Sequence, residues 1–250
     1  MDRLIYTALS GQNAIDARMR QVANELANVN TTGFKRAYSA AMTTMRYDGD
    51  GWSSRFAATM QDSNAVDLTP GPSVATGREL DVALAPAQLF QVVLPDGSNV
   101  YTSRGDLMVG PDGTLRNGEG VAIAATGGGA LNVPPNDGLK IGTDGTILIR
   151  ALGDQTRNFV PAGRIAIADA ETARLVRRPD GLFQLADGGA LPAAASGQLT
   201  PGMLESSNTN VFSHMVDMIA MSRAYETHIK IMKQTEELSQ RSSSMARLNN

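Results

Sequence analysis

A chain of 250 residues with 42% hydrophobic content is long enough to bury one large core or two modest ones. Its 25 acidic and 22 basic side chains leave a formal charge of -3, a balance that provides no basic field for phosphates and argues against nucleic acid or an anionic membrane surface as a partner. Cysteine is absent, which removes disulfides, thiolate metal sites and a cysteine nucleophile together.

The first element is a helix. Apolar residues recur at Ile5, Ala8, Ile15, Met19, Val22, Leu26 and Val29, and Gln12 completes alternating steps of three and four, the spacing of a heptad seam. Asp2 reads as its N-cap and Gly33 as the residue just past its end, so about 30 residues would form a rod of about 45 Å. Such a rod cannot bury its seam alone. On the opposite side Asn13, Arg20, Asn24 and Asn28 form a polar stripe, suited either to water or to a neighbouring subunit whose groups satisfy the amides without burying charge. The N-terminus lacks a basic stretch followed by an apolar run and a cleavage site, so a general secretory signal is not expected. No window approaches roughly 18 to 20 apolar residues, so membrane insertion is not expected either.

From 36 to 75 the chain shows no clean period and reads as an extended connector. From 76 to 197 short apolar runs, "LFQVVL", "VAIAAT", "TILIR", "RIAIAD" and "LFQLA", alternate with Asp-Gly pairs at 96–97, 112–113, 137–138, 144–145, 180–181 and 187–188. Asp-Gly between strand-like runs is a strong hairpin signal, and type I′ turns with both residues at positive φ are expected there. The last segment, 198–250, opens on capping candidates Ser206, Ser207, Asn208, Thr209 and Asn210. It continues without Gly or Pro from Val211 as a second long helix, with Val211, Met215, Met218, Ser222, Tyr225, Ile229 and Met232 on one stripe. Ile231, Leu238 and Met245 carry on along a shifted seam. The expected fold is α+β: residues 1–35 and 198–250 supply terminal helices that form a coiled coil, and 76–197 a β-rich middle domain of hairpins.

Motifs that carry chemistry are missing. His214 and His228 lie 14 residues apart without metal-ligand spacing, "YDGDGW" at 47–52 lacks the glutamate of a calcium loop, and "TGGGAL" at 126–131 lacks the Lys-Ser/Thr of a phosphate loop. No nucleophile elbow occurs. No catalytic residue, metal ligand or cofactor is therefore assigned.

"ANELANVNTTGFKR" resembles the N-terminal signature of the flagellar rod and hook axial proteins. "GMLESSNTNVFSHMVDMIAMSRAYETHIKIMKQTEEL", Gly202 to Leu238, resembles that family's C-terminal helix, and "ELDVALAPAQLFQV" followed by "YTSRGDL" its middle domain. The start "MDRLIYTALSG" and the length resemble a proximal-rod member more than a distal-rod or hook protein. The sequence departs from the family pattern at Glu25, where a second asparagine is usual, at Thr209 and at His214, where a glutamate usually precedes Met-Val.

The resemblance implies a structural, non-enzymatic subunit of the basal-body rod that stacks helically, transmits torque from motor to hook and is required for motility. Its implied partners are other rod proteins, proximal and distal, copies of itself and the flagellar type III export apparatus. Its implied location is the rod within the periplasm, reached without a cleaved signal peptide. Subunit contacts are expected at Asn24, Leu26, Asn28, Thr32, Gly33 and Phe34, and on the second helix at Met218, Ile219, Arg223, Tyr225 and Glu226. The alternatives are a distal-rod or hook-type protein, a secreted hydrolase or a free binding module.

Overall fold

Residues 2–37, 42–49, 52–60, 65–153 and 158–248 are described in the computed structural model of the chain. A helix, α1 (Asp2–Ala27), leads into a hairpin of β1 (Met42–Gly49) and β2 (Trp52–Met60). Short strands follow: β3 (Ser73–Ala75), β4 (Val82–Leu84), β5 (Gln88–Val93), β6 (Asn99–Thr102), β7 (Leu107–Val109), β8 (Leu115–Asn117) and β9 (Ala122–Ile123). Then come β10 (Asn136–Ile141), β11 (Thr146–Ala151), β12 (Val160–Arg164), β13 (Ile167–Asp169), β14 (Leu175–Arg177), β15 (Phe183–Leu185), β16 (Leu199–Pro201) and β17 (Met203–Glu205). A second helix, α2 (Val211–Leu248), closes the order. The chain divides into two compact units, one made of Met1–Ala27, Ser39–Ser63 and Asn210–Asn250, the other of Asn28–Tyr38 and Asn64–Thr209.

In the first unit the stretch read as an extended connector holds the antiparallel β1–β2 pair. Asp50 and Gly51 of the "YDGDGW" motif lie outside the described residues. The helices overturn the coiled-coil expectation. They are antiparallel, since Gly11 meets His228 while Glu25 meets His214, a spacing of 14 residues on each side. The stripe that α2 turns inward is His214, Met218, Met221, Tyr225, His228, Met232 and Thr235, in alternating steps of four and three, with His214, Met221 and Thr235 buried. It shares only Met218, Tyr225 and Met232 with the expected seam; Met215, Ile231 and Leu238 are exposed. On α1 the buried positions are Ala14, Val22 and Glu25, and a Cβ on Gly11 would come within 3.0 Å of the His228 ring. Interlocking apolar knobs define a coiled coil. Here Gly11 admits one imidazole ring, and Glu25, His214 and Thr235 are buried alongside Ala14, Val22 and Met221, so the two helices meet through mixed polar and apolar positions. The side chains of Ile5, Ala8 and Met245 lie outside the described ones.

Both helix boundaries have local causes. Past Ala27 the chain turns, Thr31 N–H donating to the Asn28 carbonyl at 3.0 Å, so Val29 leaves the helix and Gly33 is not its terminating residue. The Asn210 side chain caps α2 by accepting from the amides of Phe212 and Ser213 at 2.9 and 3.3 Å.

The second unit is antiparallel β throughout its paired strands. One sheet runs β14-β15-β6-β5-β9-β8-β7 with β13 also on β5, and β10-β11-β12 form a separate three-stranded sheet. At its centre the large sheet is covered on both faces: Phe90, Val92 and Val100 join Leu107, Leu115, Ile123 and Ile147 in the main core, while Leu89 and Tyr101 join Leu175 and Phe183 in another. Adjacent residues of one strand point to opposite faces, so two buried neighbours in sequence mark a strand buried on both sides. Four of the six Asp-Gly pairs sit in hairpin turns, between β5 and β6, β7 and β8, β10 and β11, and β14 and β15. The expected type I′ geometry is absent, because the glycine takes positive φ and the aspartate does not. Leu94 to Gly97 shows the pattern used instead. Pro95 and Asp96 make a type I turn, the Gly97 amide donates back to the Leu94 carbonyl at 3.1 Å, and the Asp96 carboxylate accepts from the Ser98 amide at 2.9 Å. The pair at 137–138 lies within β10, beside a register shift.

Candidate subunit-interaction surface

On α2, Phe212, Val216, Ile219, Arg223 and Glu226 follow one another by four, three, four and three residues and so share one face, opposite the inward stripe. Three of them are large apolar groups in water: Phe212 is 81% exposed, Val216 65% and Ile219 56%. Contiguous exposed apolar surface marks an interaction site far more often than scattered single residues do. The expected contact residues of this helix therefore divide. Ile219, Arg223 and Glu226 lie on the outward face, whereas Met218 and Tyr225 belong to the inward stripe.

The residues expected at the first junction divide as well. Asn24 is exposed on α1 and Leu26 half-buried in the same helix. Asn28 accepts from Thr31 through both its carbonyl and its side chain, and Thr32 is half-buried. Gly33 and Phe34 are held by their own chain. The Gly33 amide donates to the Glu205 carbonyl at 2.8 Å, its carbonyl accepts from the Ser103 hydroxyl, and its φ of 66° is one that a side chain resists. The Arg177 guanidinium lies 4.1 Å from the centre of the Phe34 ring.

Sequence reasoning missed the polar groups behind this junction. Lys35 Nζ lies 2.5 Å from Glu205 Oε1 with both side chains buried, and it also donates to the Thr69 carbonyl at 3.2 Å. Arg36 Nε donates to the buried Asp67 carboxylate at 2.8 Å. Burial alone would raise the Asp67 pKa, but hydrogen bonds from the Thr69 amide and hydroxyl and from Arg36 outweigh it and hold the carboxyl below the usual range. The pKa of Asp112, on the surface, is lowered to about 2 by hydrogen bonds from Arg116 and Thr114. Nothing local in the sequence marks Lys35 or Glu205, since each charge reads as solvated until the fold buries it and supplies its partner. Among the described residues no group of three or more His, Asp or Glu side chains could hold a metal ion.

Glu25 and His214, two of the positions that depart from the family pattern, face each other. His214 Nε2 lies 3.4 Å from Glu25 Oε2, both are buried, and Gln21 donates to the other Glu25 oxygen at 3.1 Å.

A helix that turns a run of large apolar groups to solvent defines a class of subunit built to assemble. Three family models match the chain: "Flagella basal body rod protein" over 5–35, "Flagellar hook protein FlgE/F/G D1 domain" over 87–149 and "Flagellar basal body rod FlgEFG protein C-terminal" over 200–245. The flagellar basal-body rod protein FlgF of Salmonella typhimurium is 35% identical over 243 residues, covering 95% of both chains. The protein of that name from Escherichia coli is 33% identical, again over 95% of each, and the rod protein FlgG of Bacillus subtilis 26% identical over 96% of this chain and 97% of its own. The chain belongs to the flagellar basal-body rod protein family. It is a structural subunit of that rod and not an enzyme.

Proposed function

We propose that this chain is a proximal-rod subunit that stacks helically with copies of itself and with other rod proteins through the outward face of α2, and that the assembled rod carries torque from motor to hook. The observation that carries the reading is the run of Phe212, Val216 and Ile219, large apolar groups left in water on a capped, continuous helix. Non-closing head-to-tail contacts of this kind generate a filament and not a ring. Asn24 and Leu26 at the end of α1, Asn28 just beyond it, and Arg223 and Glu226 on α2 supply further contacts to neighbouring subunits in this reading. Supporting the proximal assignment, three FlgF proteins are 30 to 35% identical to the chain, while the FlgG proteins stand at 26 to 28% over similar lengths. The type III export apparatus as route and the periplasm as destination complete the proposal. The export route suits helices that gain their final partners only on assembly, since most helical stability in proteins comes from packing an amphipathic face.

Phe212→Asp and Ile219→Asp test the reading. Each should leave the folded monomer as stable as the parent, because neither side chain is packed, and each should abolish swimming, with basal bodies whose axial structure stops short. Normal motility in both variants would refute an assembly role for this face.

A further inference from the structure

Inside the second unit, the two ends of the three-stranded sheet β10-β11-β12 differ in shape. At one end lies a groove of about 380 Å³. Gly127, Gly128, Ala193 and Ala195 line it together with the buried Ile165 and Ile167, and the Asp144–Arg164 ion pair, 2.8 Å long, lines it with both side chains half in water. Small residues keep this space open: a Cβ added to Gly127 or Gly128 would meet nothing within 4 Å. At the other end the sheet carries an apolar tip. Leu152, just past β11, is 71% exposed, and Val160, which opens β12 and pairs with Ile149, is 49% exposed. Pro161 follows on this edge strand, a residue that discourages pairing with a further strand, so the tip offers side chains and not a ladder. Asp144 and Leu152 flank the six residues of β11, about 20 Å of strand, so a copy cannot fill its own groove with its own tip.

We propose that the Leu152 tip of one copy seats in the groove beside Ala195 of a second copy, a head-to-tail contact between β bodies. This rests on the reading that copies of the chain stack in a rod, and it adds to the face of α2 a contact made by the other unit. Charge favours a second copy as the occupant. At the tip, the Arg150 guanidinium donates to the Asp137 carbonyl at 2.8 Å and the Asp137 carboxylate accepts from the Gly153 amide at 2.8 Å, so the tip end carries one guanidinium and one carboxylate, as the groove end does. Copies placed end to end set Asp137 against Arg164 and Arg150 against Asp144. Geometry agrees with the rod as well. An apolar knob and a pocket on different parts of one surface make a heterologous contact, which leaves a free knob and a free pocket at the ends of every oligomer and so extends without closing.

The chain has no cysteine, so an introduced pair reports one contact alone. Cells carry as their sole copy the full chain with Leu152→Cys and Ala195→Cys together, or with either change alone, and their basal bodies are oxidised and separated without reductant. A disulfide needs Cα atoms within about 7 Å, so its formation reports direct contact. The double variant should give a reducible ladder of dimers, trimers and longer species, with a yield at least tenfold above that of either single variant. Cells expressing the two single variants side by side should stop at dimers. Arg164→Glu added to the double variant sets a carboxylate against Asp137 and should lower the yield about fivefold. Absence of a ladder, or bonds to a different protein only, would overturn the proposal. So would dimers formed as readily by Leu152→Cys alone, since tip would then be meeting tip. The amount of the chain in the same basal bodies is read separately by antibody, so a missing ladder refutes this contact and not the rod reading, which stands or falls on the Phe212 and Ile219 variants.

Discussion

Replacing Gly33 by alanine should damage the body more than the same change at any open turn, and Gly97 supplies the control. The two glycines have nearly the same backbone, with φ of 66° and 72°. A side chain forced into that region costs about 1–2 kcal/mol wherever it occurs. What differs is the space. A Cβ on Gly97 meets nothing within 4 Å, whereas one on Gly33 would lie 2.7 Å from the Ser103 carbonyl oxygen and 2.8 Å from the Arg104 nitrogen. Those are backbone atoms, and the Ser103 side chain is bonded to the Gly33 carbonyl, so the neighbour cannot swing away. Overpacking of this sort adds about 1–3 kcal/mol. The expected costs are therefore about 1–2 kcal/mol for Gly97→Ala and about 2–5 kcal/mol for Gly33→Ala. Hydrogen exchange of the slowest amides in β5 and β6 reads the difference, about tenfold per 1.4 kcal/mol, so Gly33→Ala should exceed Gly97→Ala by roughly one to two powers of ten. Equal effects would show that the close approach at Ser103 has no energetic consequence and would refute the reasoning.

Phe90→Ala removes a ring that is fully buried in the main core and should cost about 3–5 kcal/mol, seen as a lower urea midpoint with an unchanged slope. Tyr101→Phe leaves the Leu191 amide, now donating to the Tyr101 hydroxyl at 2.8 Å in a buried setting, without an acceptor; a loss of about 1–3 kcal/mol is expected in the same assay. Acid should loosen the segment at 65–69. The Asp67 carboxyl titrates below its ordinary value of 3.8, so its contribution is complete above that value and disappears as pH falls below it through the lowered folded one. Asp67→Asn should exchange faster than the parent at neutral pH, and the gap should close at low pH; a constant gap would contradict the assignment.

The β body was legible because its signals are local. "LFQVVL" and "TILIR" fall on β5 and β11, and the Asp-Gly pairs at 96–97, 112–113, 144–145 and 180–181 fall on hairpin turns. Turn type was misread for a physical reason: Pro95 presets the first corner of a type I turn, and Asp96 then needs its side chain for the Ser98 amide, not positive φ. The buried Lys35–Glu205 pair was not legible. Lys35 and Glu205 look like two solvated charges until the fold brings together positions 170 residues apart, and no periodicity encodes that encounter.

The helix faces failed for a subtler reason. Counting apolar residues assumes that the most apolar stripe is the one a helix turns toward its own chain, which holds for a monomer whose only partner is itself. In α2 the inward stripe carries His214, His228 and Thr235 among its methionines, while Phe212, Val216 and Ile219 lie on the opposite, exposed face. The demands of the polar stripe are met in part: Gly11 makes room for one imidazole and Glu25 faces Nε2 of the other, while Nδ1 of both His214 and His228 is buried without a hydrogen-bond partner among the described residues. If the outward face is the assembly surface proposed above, the two stripes meet different demands. An inward stripe has only to hold one helix against another in the same chain, where a matched Glu25–His214 contact serves. An outward stripe that meets several neighbours in a rod cannot rely on one matched partner, and apolar groups, which ask nothing directional of the surface opposite, are the residues that satisfy all of them at once.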